Sequence, residues 1–143
     1  MRKTVFRFWL VNLLLIIVLF MLYRVVIAEL QPADTTLLER FFNIMDILLN
    51  LGFSLIYLVV MVAGSFSVFL NLIEKIRHSY FLSFLTFSGI PLFCVVFLAV
   101  NVSIDIYRYN LAPAPLITLL CFSITYLVCA VITFLIFRKK VKL

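Results

Sequence analysis

The sequence predicts an all-α protein, a bundle of four transmembrane helices, and three observations lead to that prediction. Of its 143 residues, 66% are hydrophobic and 13% are charged, whereas a typical soluble domain is about 45–50% apolar and about 25% charged. Four apolar stretches are long enough to cross a hydrocarbon core of about 30 Å, which needs roughly 20 helical residues. These stretches occupy nearly the whole chain, which leaves no room for a soluble catalytic or nucleic-acid-binding domain.

The chain is expected to form a single transmembrane domain, residues 1–143. Its four spans are predicted at about residues 5–28, 47–72, 80–104 and 116–137. A cleaved signal peptide is the alternative for the first span, because a basic start, an apolar run and the triplet Val26-x-Ala28 resemble a processing site. The apolar run exceeds the usual length of about 7–15 residues and Arg24 interrupts it, which favours a membrane span.

A short amphipathic helix is predicted to lead into span 2. The first connector, residues 29–36, contains a proline, and Thr36-x-x-Glu39 then matches a capping box ahead of an apolar run. Apolar residues recur at helical spacing, and polar residues form the opposite stripe. The apolar positions are Leu37, Leu38, Phe41, Phe42, Met45, Leu48 and Leu49, and the polar positions are Glu39, Asn43, Asp46 and Asn50. The part at about residues 37–46 is expected to protrude from the bilayer or to bend at Gly52.

The remaining connectors are short. Residues 73–79 force spans 2 and 3 into an antiparallel hairpin. Inside span 3, Pro91 removes a backbone donor and predicts a kink near mid-span. Pro113 and Pro115 suit the first turn of a helix, so span 4 is expected to begin there.

Orientation follows from the distribution of lysine and arginine, because short cytoplasmic loops carry the excess. Nine of these residues lie on the side of the N-terminus: Arg2, Lys3, Arg7, Lys75, Arg77, Arg138, Lys139, Lys140 and Lys142. Three lie on the other side: Arg24, Arg40 and Arg108. Five of the six acidic residues lie on that side as well. The bias predicts that both termini are cytoplasmic. The compact size and bare loops favour a bacterial inner membrane.

Six polar residues near the outer ends of spans 1, 2 and 3 form the predicted site. They are Arg24, Asp46, Asn50, Asn101, Asp105 and Arg108. Ionisable groups near membrane depth are costly, so they are functional candidates, and the three on span 3 share one helical face. One interpretation is an outward-facing polar vestibule, with Arg24 paired to Asp46 or Asp105, that receives a ligand, an ion or a partner's loop. The other is that these side chains reach headgroups and water or join helices of the bundle.

Small and polar residues inside the spans predict contacts between helices. Ala63-x-x-x-Ser67 permits close helix approach, within the bundle or in a homo-oligomer. Asn12 and Asn71 fall at similar predicted depths, where a hydrogen bond between them would satisfy both amides.

The sequence lacks the motifs of known chemistry. It has no glycine-rich phosphate loop, HExxH, paired catalytic carboxylates or nucleophile elbow. Its single histidine, His78, has no second metal ligand nearby, and its three cysteines form no CxxC pair. We therefore expect no enzymatic activity, no cofactor, no metal site and no nucleic-acid partner. The net charge of +6 is interpreted as a topology signal that also meets anionic headgroups.

The leading hypothesis is a small non-enzymatic membrane protein that binds another membrane protein, either as an accessory subunit or as a protector against a membrane-active toxin. The layout resembles that of the four-span immunity proteins that guard bacteria against pore-forming toxins, although the two share no motif. The first alternative is a small channel or transporter, which would require a homo-oligomer because four helices are few for a lumen. The second is a lipid-handling enzyme or flippase, which would need acids or arginines buried at mid-span, and the sequence places none there.

Overall fold

The computed structural model of the protein describes residues 2–29, 36–110 and 114–141. They form α1 (Arg2–Glu29), α2 (Leu37–Ser65), a 3₁₀ segment (Phe66–Leu72), α3 (Glu74–His78), α4 (Tyr80–Tyr109) and α5 (Ala114–Val141). Four helical stretches among these are long and apolar enough to cross a membrane: α1, α2 with its 3₁₀ segment, α4 and α5. The predicted all-α fold with four such helices is confirmed. Most of the first connector, Pro113 and Lys142 lie outside the described residues.

The four long helices form a closed ring in the order α1, α2, α4, α5, in which each packs against two neighbours. Hydrogen bonds show that α1 and α2 are antiparallel. Near the start of α1, the Trp9 Nε1 donates to Ser65 Oγ at 3.2 Å, and near its end the Tyr23 hydroxyl donates to Asn50 Oδ1 at 3.1 Å. These two bonds also establish which residues of α1 and α2 lie at the same level.

The core consists of three layers stacked along the bundle. The first layer contains Val5, Val68, Phe87, Phe134 and Phe137, the second contains Ile16, Met61, Cys94 and Tyr126, and the third contains Tyr23, Ile27, Leu98 and Leu119. In the first layer, Phe134 is fully buried, and the rings of Tyr80 and Phe84 meet it edge-on at 5.4 Å each. Aromatic packing therefore closes this end of the bundle. We call it the basic end, because lysine and arginine residues of the first turns of α1, of α3 and of the last turns of α5 lie there. The opposite end is the distal end.

Span 2 departs from the expected regular α-helix at its last turns, where residues 66–72 wind as a 3₁₀ helix. Three side chains in or next to this segment donate to the carbonyl three residues earlier. Ser65 donates to Val62, Ser67 to Gly64 and Asn71 to Val68, at 2.7, 2.6 and 3.2 Å. Such local bonds compete with the α-helical pattern and favour the i to i+3 geometry.

Gly64 brings this part of α2 against α4. A Cβ added at Gly64 would lie 2.7 Å from Ile90 Cγ2, closer than a real side chain allows. Ser67 also donates to the Thr86 carbonyl of α4. Of the two small residues predicted to allow close approach, Ser67 therefore contacts α4 within the bundle, whereas Ala63 is exposed.

Neither residue predicted to bend a helix interrupts one. The helix α2 runs without a break through Gly52, and α4 continues through Pro91. In the predicted hairpin connector, residues 74–78 form the single turn and a half of α3, and Ser79 then caps α4 by accepting from the Leu82 amide at 3.5 Å.

Candidate functional site

The helix α2 begins where the capping box predicts. The Thr36 side chain accepts from the Glu39 amide at 3.4 Å, and the Glu39 carboxylate accepts from the Thr36 amide at 3.1 Å. Thr36 itself is extended, with φ −127° and ψ 156°. The reciprocal pair satisfies two backbone donors at the helix start and so stabilises the first turn.

This start lies well beyond the end of the neighbouring helix. Tyr23 and Asn50 are level, because they share a hydrogen bond. Six more residues take α1 to its end at Glu29, whereas thirteen residues separate Asn50 from Leu37. At 1.5 Å per residue, α1 extends about 9 Å past the shared level and α2 about 20 Å. Residues 37–43 of α2 therefore lie beyond the end of α1. We call residues 37–46, which include them, the projecting segment.

Large apolar side chains of the projecting segment are exposed. Leu37 is 87% exposed, Phe41 is 61% exposed and Met45 is 47% exposed. Leu38, Phe42 and Ile44 are exposed as well. The first buried residue of α2 is Ser54. The amphipathic stripe predicted from the sequence thus meets no core residue of its own chain.

The predicted vestibule residues divide between two places at the distal end. Asp46 and Asn50 line a groove of about 460 Å³ with Tyr23 and Leu119, between α1, α2 and α5. The groove includes the Tyr23–Asn50 hydrogen bond, so the Tyr23 hydroxyl and the Asn50 Oδ1 already have a partner. Asp46 itself is exposed at the edge of the projecting segment. Arg24 follows Tyr23 on α1 and is half-buried.

The other three vestibule residues lie on α4. Asn101 and Asp105 are half-buried, and the Asn101 amide donates to the Phe97 carbonyl of its own helix at 2.8 Å. Arg108 is exposed beside a shallow depression formed by α4 alone. Among the described residues, no ion pair joins Arg24 to Asp46 or Asp105. The ion pair that these residues do contain joins Arg77 to Glu74 at the basic end. A single vestibule receiving a ligand remains a prediction.

A lateral cleft between α2 and α4 was not predicted from the sequence. It has a volume of about 340 Å³ and an almost entirely apolar lining. Its walls are Phe53, Ile56, Tyr57 and Val60 from α2, and Phe93, Cys94, Phe97 and Leu98 from α4. The two helices meet closely at Gly64 and leave this opening toward the distal end. Both helices are apolar on nearly every face, so no periodicity could have indicated where they separate.

Hydrogen bonds between helices close the middle of the bundle. The Tyr57 hydroxyl shares a hydrogen bond with Ser123, and the Tyr126 hydroxyl donates to Asn12 Oδ1 at 2.8 Å. The cavity beside them is about 30 Å³, enough for about one water molecule. This cavity is too small to hold a larger solute.

The predicted Asn12–Asn71 hydrogen bond is wrong. Asn12 bonds Tyr126 of α5, while Asn71 accepts from Ser83 Oγ at 2.6 Å and donates to Thr86. The physical reason is depth: Trp9 is level with Ser65, so Asn12 lies nearer the middle than Asn71, and the 3₁₀ winding turns Asn71 toward α4.

Metal-ligating residues and comparisons with known proteins add no further site to the described part of the chain. Within residues 2–29, 36–110 and 114–141, no group of three or more His, Cys, Asp or Glu side chains could hold a metal ion. Comparison with protein-family models, curated proteins and solved structures found no match to this chain.

Proposed function

We propose that this chain is a non-enzymatic membrane protein that acts by binding another membrane protein, as an accessory subunit or as a protector against a membrane-active toxin. The observation that carries the proposal is the projecting segment, which presents exposed apolar side chains beyond the end of α1. The cleft between α2 and α4 extends the same apolar surface into the bundle.

The level of the bilayer on α2 follows from its contacts with α1. A hydrocarbon core of about 30 Å that begins at Val5 encloses about 20 residues of α1 and ends near residue 25. Because Tyr23 is level with Asn50, the same plane crosses α2 near residue 48. The projecting segment then lies outside the hydrocarbon core, where lipid tails cannot cover its leucine and phenylalanine side chains.

Contiguous apolar surface outside lipid marks a site of protein association. The partner expected here is an apolar helix or loop with a cationic group near its edge, because Asp46 and the other polar positions border the apolar stripe. An amphipathic helix that packs on a partner through residues three and four apart is a common mode of recognition. The capping box keeps the segment helical before the partner arrives, which lowers the ordering cost of association.

The orientation that we infer places this surface outside the cytoplasm. Nine of the twelve lysine and arginine residues lie on the side of the chain termini, and such a bias is typical of the cytoplasmic side. A bacterial inner membrane fits the short loops. Reporter fusions at His78 and after Val141 should both report a cytoplasmic location; opposite locations would contradict the orientation.

A small channel or transporter is the alternative, and the bonds of Tyr57 and Tyr126 across the middle argue against conduction through one copy of the chain. Flux measurements in liposomes test it directly. Gated or saturable passage of an ion or solute would favour the alternative and contradict the present proposal.

The proposal is tested by photocrosslinking in native membranes from a residue placed at Phe41, with the same residue placed at Ile132 as control. Ile132 is similarly apolar and exposed, but lies in mid-helix on α5. The expected result is one membrane protein crosslinked from position 41 and not from position 132. The same protein should co-purify in mild detergent with wild type and with Ile132→Ala, and should be lost with Leu37→Ala/Phe41→Ala. A chain that crosslinks only to lipid, or only to its own copies, would overturn the proposal.

A further inference from the structure

The basic end contains a buried cation without an adequate partner. The Arg77 side chain is only 13% exposed. Its Nε is buried and has no hydrogen-bond partner, the one such side-chain nitrogen or oxygen within the described ranges. A buried charged group is costly unless it is paired and hydrogen-bonded. Arg77 therefore lies in a position that an anion would stabilise.

The acid available within the chain is a weak counterion. Glu74 approaches the Arg77 Nη2 at 3.5 Å through one oxygen, and its own side chain is 82% exposed. An exposed pair of this kind contributes little, because water competes for the carboxylate. Of the acids in the described residues, Glu74 is the one at the basic end. The Arg77 guanidinium thus keeps donors to offer to a ligand.

A second guanidinium contacts the backbone of Arg77. Arg138, on the last turns of α5, donates from Nη1 to the Arg77 carbonyl at 3.4 Å. Its guanidinium also lies over the Tyr80 ring, 5.0 Å from the ring centroid. Both contacts restrict the Arg138 side chain, so the two arginines occupy one corner where α3, α4 and α5 meet.

Two guanidinium groups in one corner match the chemistry of a phosphate group. The planar fork of arginine binds two phosphate oxygens at once, and such charge-assisted bonds are stronger than neutral ones. The corner lies at the end of the bundle, where the aromatic layer around Phe134 stops, and therefore at headgroup level if the long helices cross a bilayer. Exposed cations at the same end add long-range attraction for anionic lipids: Arg2, Lys3, Arg7, Lys75, Lys139 and Lys140.

We propose that Arg77 and Arg138 form a binding site for a phosphate group at the corner of α3, α4 and α5, and that an anionic phospholipid headgroup supplies it. A free phosphate ion offers the same chemistry, and the two sources differ in what holds them. A headgroup is anchored by its acyl chains along α4 and α5, whereas a free ion has only the two arginines. The site is independent of the projecting segment and of any protein partner.

The test uses the full chain in neutral detergent. It measures the midpoint of thermal unfolding, and native mass spectrometry measures which ligand stays bound. Phosphatidylglycerol, phosphatidylcholine and inorganic phosphate are added separately. Phosphatidylglycerol should raise the midpoint and remain bound as a discrete adduct, because a ligand that binds the folded state stabilises it. Phosphatidylcholine, which carries no net charge, should do neither. A rise with inorganic phosphate equal to that with phosphatidylglycerol would overturn the lipid source, and no rise with either would overturn the site.

Matched variants separate a specific site from general attraction to the basic end. Arg77→Gln should weaken phosphatidylglycerol binding about 10-fold or more, as expected for the loss of charge-assisted hydrogen bonds. Lys75→Gln removes the same charge from the same short helix and should change binding less than about 3-fold. Arg138→Gln, on α5, tests the site if Arg77→Gln does not fold. Equal losses in Lys75→Gln and in the arginine variants would show non-specific attraction and contradict the proposal.

Discussion

A methyl group added at Gly64 tests the close contact between α2 and α4. In Gly64→Ala the new Cβ would lie 2.7 Å from Ile90 Cγ2 and 2.8 Å from Ile90 Cδ1. Ile90 must then leave its preferred position or the helices must separate. Overpacking of this kind costs about 1–3 kcal/mol in stability.

Gly52 on the same helix provides the matched control. A Cβ added there meets nothing within 4 Å, so Gly52→Ala adds only the helix preference of alanine, about 0.5–1 kcal/mol in favour of folding. Both variants carry the same chemical change, so the helix preference cancels and their stabilities should differ by the overpacking cost alone, about 1–3 kcal/mol. Unfolding in mixed detergent micelles, followed by circular dichroism, measures the difference.

A second substitution identifies the atoms responsible. Ile90→Ala removes the two methyl groups that lie nearest the new Cβ, so Gly64→Ala should cost less in that background, with a coupling free energy of at least about 0.5 kcal/mol between the two sites. Equal stability of Gly64→Ala and Gly52→Ala, or strictly additive effects with Ile90→Ala, would refute the close packing of α2 on α4 at this level.

Three further predictions concern single contacts. Thr36→Ala removes the capping box and should destabilise the first turn of α2 by about 1 kcal/mol. Amide hydrogen exchange should become faster over residues 37–40 and stay unchanged at mid-helix. Protection of residues 37–40 equal to that in the wild type would contradict this prediction. Tyr126→Phe deletes the hydrogen bond to Asn12 and should lower the free energy of unfolding by about 0.6 kcal/mol, and by no more than about 1.7 kcal/mol, in the same unfolding assay. A larger loss would mean that the bond organises more than one helix pair. Under the vestibule hypothesis, Asp46→Ala should reduce crosslinking from position 41 more than Asp105→Ala does, because Asp46 lies in the projecting segment. Crosslinking at the wild-type level in both variants would limit these acids to a structural role.

Local features were predictable because their energetics are local. The capping box of Thr36 and Glu39 involves residues three apart, and the structure contains both of its hydrogen bonds. The 3₁₀ segment was missed. Ser65, Ser67 and Asn71 each bond a carbonyl three residues earlier in this part of span 2. Ser54 and Thr86 make the same bond inside regular α-helix, so such residues do not signal the change by themselves.

Contacts between helices were less predictable. The Asn12–Asn71 bond was inferred only from the predicted depth of the two residues in the membrane. That depth was counted from predicted span ends, and an error of a few residues there moves a side chain by more than the length of a hydrogen bond. The buried Arg77 was counted only as a topology signal, because nothing in its neighbours along the chain indicates that its side chain folds inward. The six vestibule residues were placed at the correct end of their helices, but their division between a groove and the surface of α4 depends on how each helix is rotated.

By itself, the sequence determined the number of long apolar helices and the sign of the charge at each end of the bundle. Within a bilayer, backbone polar groups must be satisfied inside each helix, so apolar length alone specifies a span. Only the tertiary structure decided which faces meet, where α2 and α4 separate and which polar side chains pair. Helices that are apolar on every side give no preferred face, so their rotation is set by a few close fits, such as Gly64 against Ile90, and by hydrogen bonds between residues distant in the chain.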